Sequence, residues 1–340
     1  MTTTFMATEV REIPDITRRF LRDDTGVLVE TAARIRRQDP RLVVTVARGS
    51  SDHAASYLKY AIELSTGVPV ASIGPSIASV YGVQLKLEQS LCIGISQSGQ
   101  SPDIVAMTKN ARNGGALTLA LTNDPRSRLA QVADHTLALN TGAEQSVAAT
   151  KTFVTSIVAG LALLAEWQQD DALREALAQL PSAFAEALKL DWSPLSDSLV
   201  QAQSLYVLGR GPGFAIANEM ALKFKETCAL HAESYSAAEV LHGPAAIVGD
   251  RFNVFALAVE DAALGTMCET AERLAQQGAE VFMTHFAPGV AQLPVVRNLH
   301  PLVAPLVPIV SFYVFIEALS RRRGLNPDKP AHLRKITETR

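Results

Sequence analysis

The chain has 340 residues, of which 48% are apolar and 19% are charged, and its formal net charge at pH 7 is −3. This length and composition predict a compact protein that is long enough for two domains. The slightly acidic charge, with no basic stripe along the chain, argues against nucleic acid as a partner.

The cysteines and the first residues bear on the compartment. Cys92, Cys228 and Cys268 form no CxxC pair, which is typical of reduced structural thiols. The first residues include acids and no apolar signal-peptide core, so we expect a cytoplasmic protein. The most apolar run, 301–319, contains three prolines and Glu317, and we predict a buried segment with no membrane partner.

The chain begins with two stretches of helical spacing, 9–20 and 26–38, which predict a helical arm before the first strand. An apolar strand follows at 42–47 and ends in Arg48-Gly49-Ser50-Ser51. Ser50 and Ser51 fit two roles equally well at this point, as simple helix caps or as hydrogen-bond donors to a ligand.

The next strand, 91–95, leads into Ser96-Gln97-Ser98-Gly99-Gln100-Ser101. Ser101 is a suitable N-cap, Pro102 suits the first helical position, and a helix is predicted from 102 to 113, before Gly114-Gly115. The loop therefore lies at a helix N-terminus, where free N–H groups and the helix dipole favour an anion such as phosphate. An ordinary capped strand–turn–helix is the alternative.

The two polar turns follow strands of one predicted parallel sheet. Because the carboxyl ends of such strands meet at one edge, the turn at Ser50 and Ser51 can face the loop 96–101. This proximity favours a single phosphorylated ligand between them.

The second half of the chain repeats the first. Aligning Gly49 with Gly211 pairs the stretch 42–51 with 205–213, then the strand 91–95 with 254–259, and 116–121 with 280–284. Two α/β halves are predicted, each a parallel sheet covered on both faces. The second half has acids where the first half has the serines of the loop 96–101. The linker between the halves is expected at 180–194, where Pro181 is expected to interrupt a helix. The glycines at 209–213 do not have dinucleotide-binding spacing.

A helix predicted from 215 to about 230 places Glu219, Lys223 and Glu226 on one face. Such spacing usually marks a solvated stripe, but the flanking residues are apolar, and a buried carboxylate needs a partner or a function. Further on, His242 precedes Gly-Pro in a predicted loop. We expect no metal, because His231 and Glu233 do not form a ligand set.

These segments together resemble the sugar isomerase (SIS) family, most closely the isomerase half of glucosamine-6-phosphate synthase. The resemblance rests on these ordered motifs: Arg48-Gly-Ser-Ser51, Ser96-Gln-Ser-Gly-Gln-Ser101, the stretch from Gly142 through Glu144 and Val147 to Phe153, Leu222-Lys-Phe-Lys-Glu226, His231-Ala-Glu-Ser-Tyr235, Glu239-Val-Leu-His-Gly-Pro244, and the tail from Asn326 to Lys335.

The resemblance implies two tandem SIS domains, each a parallel five-stranded sheet flanked by helices on both faces. We expect a helical arm at 1–40, a first SIS domain with the phosphate-binding loops at 41–185, and a second at 186–340 with the catalytic helix and the tail.

The resemblance also implies roles for individual residues. The phosphate-binding set is Ser51, Ser96, Gln97, Ser98 and Ser101, and we assign Ser50, Val147 and Lys223 to the substrate site as well.

Three residues are implied to be catalytic. Glu226 is implied to move a proton between C1 and C2 of the sugar. His242 is implied to reach across a homodimer interface to help open the sugar ring, and Lys335 to lie against the carbonyl end. Neither a metal nor a redox cofactor is required.

Departures from the synthase refine this expectation. About 40 residues precede the first strand, fewer than the roughly 50 of a small domain, so we expect no glutaminase domain. Leu241 replaces the basic residue usual before the loop histidine. The chain is most similar to SIS-type glucosamine-6-phosphate deaminases, which would release fructose 6-phosphate and ammonia.

Two other functions stay open. One is a deglycase or isomerase of another amino-sugar phosphate, such as galactosamine 6-phosphate or fructosamine 6-phosphate. The other is a non-catalytic sugar-phosphate sensor, which would need the serine loop but not Glu226, His242 and Lys335.

Overall fold

The computed structural model describes residues 3–23 and 25–335. Three helices open the chain, α1 (Phe5–Arg11), α2 (Ile13–Asp23) and α3 (Thr25–Gln38). The N-terminal stretch is therefore helical, as its apolar spacing predicts.

The first sheet has five parallel strands in the order β2-β1-β3-β4-β5. Its strands are β1 (Leu42–Val46), β2 (Val70–Ser72), β3 (Ser90–Ile95), β4 (Leu117–Thr122) and β5 (His135–Ala138). Its helices are α4 (Ser50–Thr66), α5 (Ser76–Ser79), α6 (Pro102–Asn113), α7 (Arg128–Val132), α8 (Lys151–Gln168) and α9 (Asp171–Ala187).

Both faces of this sheet are covered because alternate side chains of a strand point to opposite sides. On one face Cys92 of β3 joins a buried cluster with Met107 of α6. On the other face Ile93 lines a small cavity together with Leu58 of α4 and Leu163 of α8. Every residue of β3 is buried, so the strand reads as a continuous apolar run.

The second sheet is also parallel and five-stranded, in the order β10-β9-β8-β6-β7. Its strands are β6 (Ser204–Gly209), β7 (His231–Ser236), β8 (Asn253–Ala256), β9 (Glu280–Met283) and β10 (Ala291–Gln292). Its helices are α10 (Ser193–Leu199), α11 (Pro212–Cys228), α12 (Leu264–Gln276) and α13 (Pro308–Arg322), with 3₁₀ helices at Glu239–His242 and Pro244–Ile247.

Helix α12 packs on one face of the second sheet, where Met267 and Leu274 join the cluster formed by β6, β8 and β9. Helix α11 contacts α13, and the rings of Phe224 and Phe312 meet edge to face with centroids 5.2 Å apart. The predicted fold class, two α/β sheets each flanked by helices, is confirmed.

The two halves share a backbone turn at the positions that the sequence repeat aligns. Gly49, which precedes α4, has φ 55° and ψ −133°, and Gly211, which precedes α11, has φ 56° and ψ −136°. A positive φ strains residues that carry a Cβ, so glycine suits both positions.

The chain divides into two compact units. The N-sheet unit contains residues 15–144, 151–179 and 334–335, and the C-sheet unit contains residues 3–14, 145–150 and 180–333. The division falls within α9.

The predicted interruption at Pro181 is wrong, because α9 runs through this residue to Ala187. An internal proline costs a helix about 3 kcal/mol. Leu180 and Phe184 are buried beside it, so packing of the apolar face offsets that cost.

The apolar run 301–319 is buried within the protein and forms most of α13. None of the helices in residues 3–23 and 25–335 combines the length and the apolarity that crossing a membrane requires.

Candidate functional site

Two helix N-termini meet at the carboxyl edge of the first sheet. Strands β1 and β3 are direct neighbours, with Val46 opposite Gly94, and the chain leaves them to start α4 and α6. The predicted helix at 102–113 is confirmed, with Ser101 at the N-cap and Pro102 at N1. N–H groups and dipoles of both helices favour an anion at this edge.

The loop 96–101 (the serine loop) holds its shape through its own side chains. The Ser96 hydroxyl accepts the N–H of Gly99 at 3.1 Å, and the Ser98 hydroxyl accepts the N–H of Gln100 at 3.3 Å. Gly99 has φ +61°, and a Cβ built there would lie 2.1 Å from Ser127 Oγ. The loop therefore needs glycine at this position.

A long-range ion pair joins the two turns. Both Nε and Nη2 of Arg48 lie 3.0 Å from Oδ2 of Asp103, whose side chain is completely buried at the start of α6. The other carboxylate oxygen accepts the N–H of Ile104 at 2.9 Å. Asp103 thus connects the turn after β1 with the helix that follows the serine loop.

The predicted phosphate ligands lie on these two turns. Ser50 and Ser51 begin α4, and all six of Ser50, Ser51, Ser96, Gln97, Ser98 and Ser101 are partly or largely buried. Burial raises the pKa of the neighbouring Asp52 carboxyl, while the charges of His53 and Arg48 act in the opposite direction.

Lys335, the predicted tail lysine, is also in the N-sheet unit and is bound to a buried acid. Its Nζ lies 3.0 Å from Oε2 of Glu144, whose side chain is fully buried. Glu144 also accepts the hydroxyl of Thr152 at 2.7 Å and its backbone N–H at 3.1 Å. The lysine side chain keeps 25% of its surface exposed.

In the C-sheet unit, α11 carries a cluster of three charged residues. Lys223 Nζ lies 2.9 Å from Oε1 of Glu219 and 2.6 Å from Oε2 of Glu226. The side chains of Lys223 and Glu219 are 0% exposed, whereas that of Glu226 is 21% exposed. Tyr313 of α13 donates to Oε1 of Glu219 at 3.3 Å. The alternative of a solvated stripe is therefore wrong for this helix.

Burial acts on Lys223 in the direction of a lower pKa, but its attraction to Glu219 and Glu226 outweighs burial and raises the lysine pKa above its usual value. The ammonium is therefore held in its charged form. Of the three side chains only that of Glu226 reaches the surface.

The remaining predicted residues lie elsewhere in the C-sheet unit. His242 is exposed and ends a 3₁₀ helix instead of lying in an irregular loop, and Gly243 follows with φ +152°. This backbone angle lies outside the helical region and separates the 3₁₀ helix that ends at His242 from the one that begins at Pro244. Val147 is half-buried, and its N–H donates to the carbonyl of Asp328 at 3.4 Å.

Sequence reasoning missed the buried partners of these groups. Asp103 is not singled out in the sequence, and Glu144 is named there only as part of a motif. Both pair with residues far away in the chain, which local spacing does not reveal. Within residues 3–23 and 25–335, no cluster of three or more His, Cys, Asp or Glu side chains could hold a metal ion.

Comparison with known proteins identifies relatives of most of the chain. It is 33% identical over 319 residues to a glutamine–fructose-6-phosphate aminotransferase of Symbiobacterium thermophilum, covering 87% of this chain and 51% of that protein. The enzyme of the same name from Halobacterium salinarum is 34% identical over 309 residues, covering 85% and 50%. The chain thus spans about half the length of the curated relatives it matches.

Solved structures share the fold. A candidate phosphosugar isomerase from Silicibacter pomeroyi has a TM-score of 0.93 and 52% identity, covering 96% of this chain and all of that one. A glucosamine-6-phosphate deaminase from Thermotoga maritima has a TM-score of 0.78 and 21% identity, covering 99% and 100%, which supports the fold alone. The SIS domain profile matches residues 37–166 and 198–284, one segment for each sheet, and the chain belongs to the SIS domain family.

Proposed function

We propose that the protein is an SIS-type enzyme that converts glucosamine 6-phosphate and water into fructose 6-phosphate and ammonia. The observation that carries the proposal is the cluster on α11, in which a buried Lys223 pairs with two carboxylates and only Glu226 is accessible. A general base must be accessible to its substrate.

The proposal assigns a task to each predicted site residue. Ser50, Ser51 and the serine loop of the N-sheet unit bind the phosphate, supported by the two helix N-termini at one sheet edge. Lys335 contacts the carbonyl end of the sugar. In the C-sheet unit, Glu226 transfers the proton, Val147 contacts the substrate, and His242 assists ring opening.

The chemistry balances without an external oxidant or reductant. Glu226 removes the C2 proton of the open-chain aldehyde, the electrons of the C2–H bond form the C1–C2 double bond, and the carbonyl oxygen O1 takes up a proton from solvent, which gives an enolamine. The protonated Glu226 then returns a proton to C1 while the amino nitrogen releases a proton to solvent, which yields the imine of the ketose. Addition of water at C2 and loss of ammonia give fructose 6-phosphate. A positioned carboxylate contributes about 10²–10⁴-fold to such proton transfers.

Glu226→Gln tests the proposal, because glutamine keeps the shape of the side chain and one oxygen that can accept from Lys223, but it cannot accept the C2 proton. We expect kcat to fall by about 10²-fold or more, affinity for the sugar phosphate to stay within a few fold, and exchange of the C2 hydrogen with deuterated solvent to be lost. Glu269→Gln, an exposed acid on α12, serves as the control.

Ammonia release from glucosamine, galactosamine, fructosamine and N-acetylglucosamine 6-phosphates then identifies the substrate. A wild-type protein that binds a sugar phosphate and releases no product would favour a sensor. Ammonia release by Glu226→Gln at the wild-type rate would remove Glu226 from the reaction.

We also propose a homodimer in which partner subunits share active sites. The support is His242, which is exposed at the end of its 3₁₀ helix, with the 64% exposed Ile247 close by in the chain. Mixing inactive Glu226→Gln and His242→Ala chains should restore partial activity, and verified heterodimers without activity would contradict the sharing.

A further inference from the structure

Helix α1 of the C-sheet unit carries a buried acid that binds backbone. Glu9 is 4% exposed, and its Oε1 accepts the N–H of Gln145. The N–H of Ser146 lies 3.4 Å from Oε1 and 3.3 Å from Oε2 of the same carboxylate. An ionised acceptor makes stronger hydrogen bonds than a neutral one, and burial strengthens them further.

The other end of α1 is held by the C-terminal part of the chain. The two carboxylate oxygens of Asp328 accept the N–H groups of Phe5 and Met6, each at 2.8 Å. These donors belong to the first turn of α1, where no carbonyl of the helix is available to them. Thr4 caps the helix through Ala7 and donates to Glu317 at 2.8 Å.

The same tail residue closes the connection. The carbonyl of Asp328 accepts the N–H of Val147 at 3.4 Å. One circuit of hydrogen bonds therefore connects Glu9, the first turn of α1, Asp328 and residues 145–147. We call this circuit the α1 clasp.

Residues 145–147 depend on the clasp because they form no regular secondary structure. Their N–H groups are not paired within a strand or a helical turn, and the backbone of Ser146, which is buried, needs a hydrogen-bond partner from elsewhere in the chain. The clasp supplies that partner for three consecutive residues: Glu9 for Gln145 and Ser146, and Asp328 for Val147.

We infer that Glu9 is a positioning residue for substrate binding: its carboxylate fixes the backbone of residues 145–147 and thereby orients Val147. The inference rests on the proposed function for the substrate contact of Val147. It goes beyond that function because Glu9 itself touches no substrate and acts only through the segment it holds.

Glu9→Gln tests the inference, since the amide replaces one acceptor oxygen with a donor that faces the N–H groups. We expect amide hydrogen exchange of residues 145–147 to accelerate at least about tenfold, the KM for glucosamine 6-phosphate to rise about 5–20-fold, and kcat to stay within about threefold. Glu175→Gln, an exposed acid on α9, should change none of these.

Unchanged exchange at 145–147 in Glu9→Gln would overturn the inference, and so would faster exchange with an unchanged KM. If Glu9→Gln does not fold, the wild-type protein in sub-denaturing urea decides. Amides of α1 and of residues 145–147 should then open together with the same urea dependence, and independent opening would refute the clasp. If the wild type turns over no amino-sugar phosphate, the proposed function fails but the role of Glu9 can still be tested. The affinities of wild type and Glu9→Gln for fructose 6-phosphate are then compared in place of KM.

Discussion

Removing Lys223 should destabilise the protein through the acid it leaves behind. Its Nζ lies 2.9 Å from Glu219, and both side chains are completely buried. Loss of one partner from a buried ion pair costs about 3–5 kcal/mol, because the remaining charge is desolvated without compensation. At about 2–4 °C per kcal/mol for a unit of this size, Lys223→Met should lower Tm by roughly 6–20 °C.

The assay is thermal unfolding of three variants beside the wild type. Lys225→Met, on the same helix but exposed, should change stability by no more than about 0.5 kcal/mol. The double variant Glu219→Gln/Lys223→Met removes both buried charges, so it should recover at least half of the lost Tm.

The pH dependence provides an independent check. In the wild type the neighbouring carboxylates outweigh burial and raise the pKa of Lys223, so its stabilisation is fully present below the ordinary lysine pKa and is lost only as pH rises through the raised one. In Lys223→Met, the buried Glu219 no longer has Lys223 beside it and therefore favours its protonated form. The stability that this protonation restores to the folded state is lost again as pH rises.

The stability deficit of Lys223→Met should therefore shrink when pH falls from about 8 to about 5.5. Two results would refute this reasoning: a Tm for Lys223→Met equal to that of Lys225→Met, or a deficit that grows on acidification.

Two further predictions concern the serine loop. Gly99→Ala should lower Tm and raise the KM for sugar phosphate at least tenfold, because φ is +61° and the new Cβ would lie 2.1 Å from Ser127 Oγ. A wild-type KM would contradict this and show that the serine loop can accommodate a Cβ at this position. Asp103→Asn should lower the free energy of unfolding by about 1–3 kcal/mol, because it weakens the hydrogen bonds from Arg48, and it should also weaken phosphate binding. If calorimetry gives the variant the wild-type affinity for inorganic phosphate, Asp103 does not support the phosphate site.

The three inner strands of each sheet and the serine loop could be predicted from the sequence because their causes are local, whereas the edge strands β2, β5, β7 and β10 were not predicted. Strand β3 is an unbroken apolar run, and Ser101-Pro102 marks the start of α6 at the residue where the helix begins. The i, i+4 and i+7 spacing placed Glu219, Lys223 and Glu226 together, and the structure confirms their contact.

Other features could not be predicted because their causes are tertiary. Pro181 is a helix breaker by local rules, yet α9 passes through it. The pairing of Asp103 with Arg48 spans 55 residues and that of Lys335 with Glu144 spans 191, so neither has a signature at short spacing. The α1 clasp likewise depends on Glu9 and Asp328 meeting segments far from them in the chain.

The matching turns at Gly49 and Gly211 have a consequence for how such a duplicated protein can diverge. Their backbone angles agree within a few degrees, although one is followed by two serines and the other by a proline. The turn is thus specified by one residue without a side chain, and the neighbouring positions are free to change their chemistry. One copy can lose its ligand-binding residues and acquire acid–base residues while the path of its backbone stays the same. A new activity can therefore arise without a new fold.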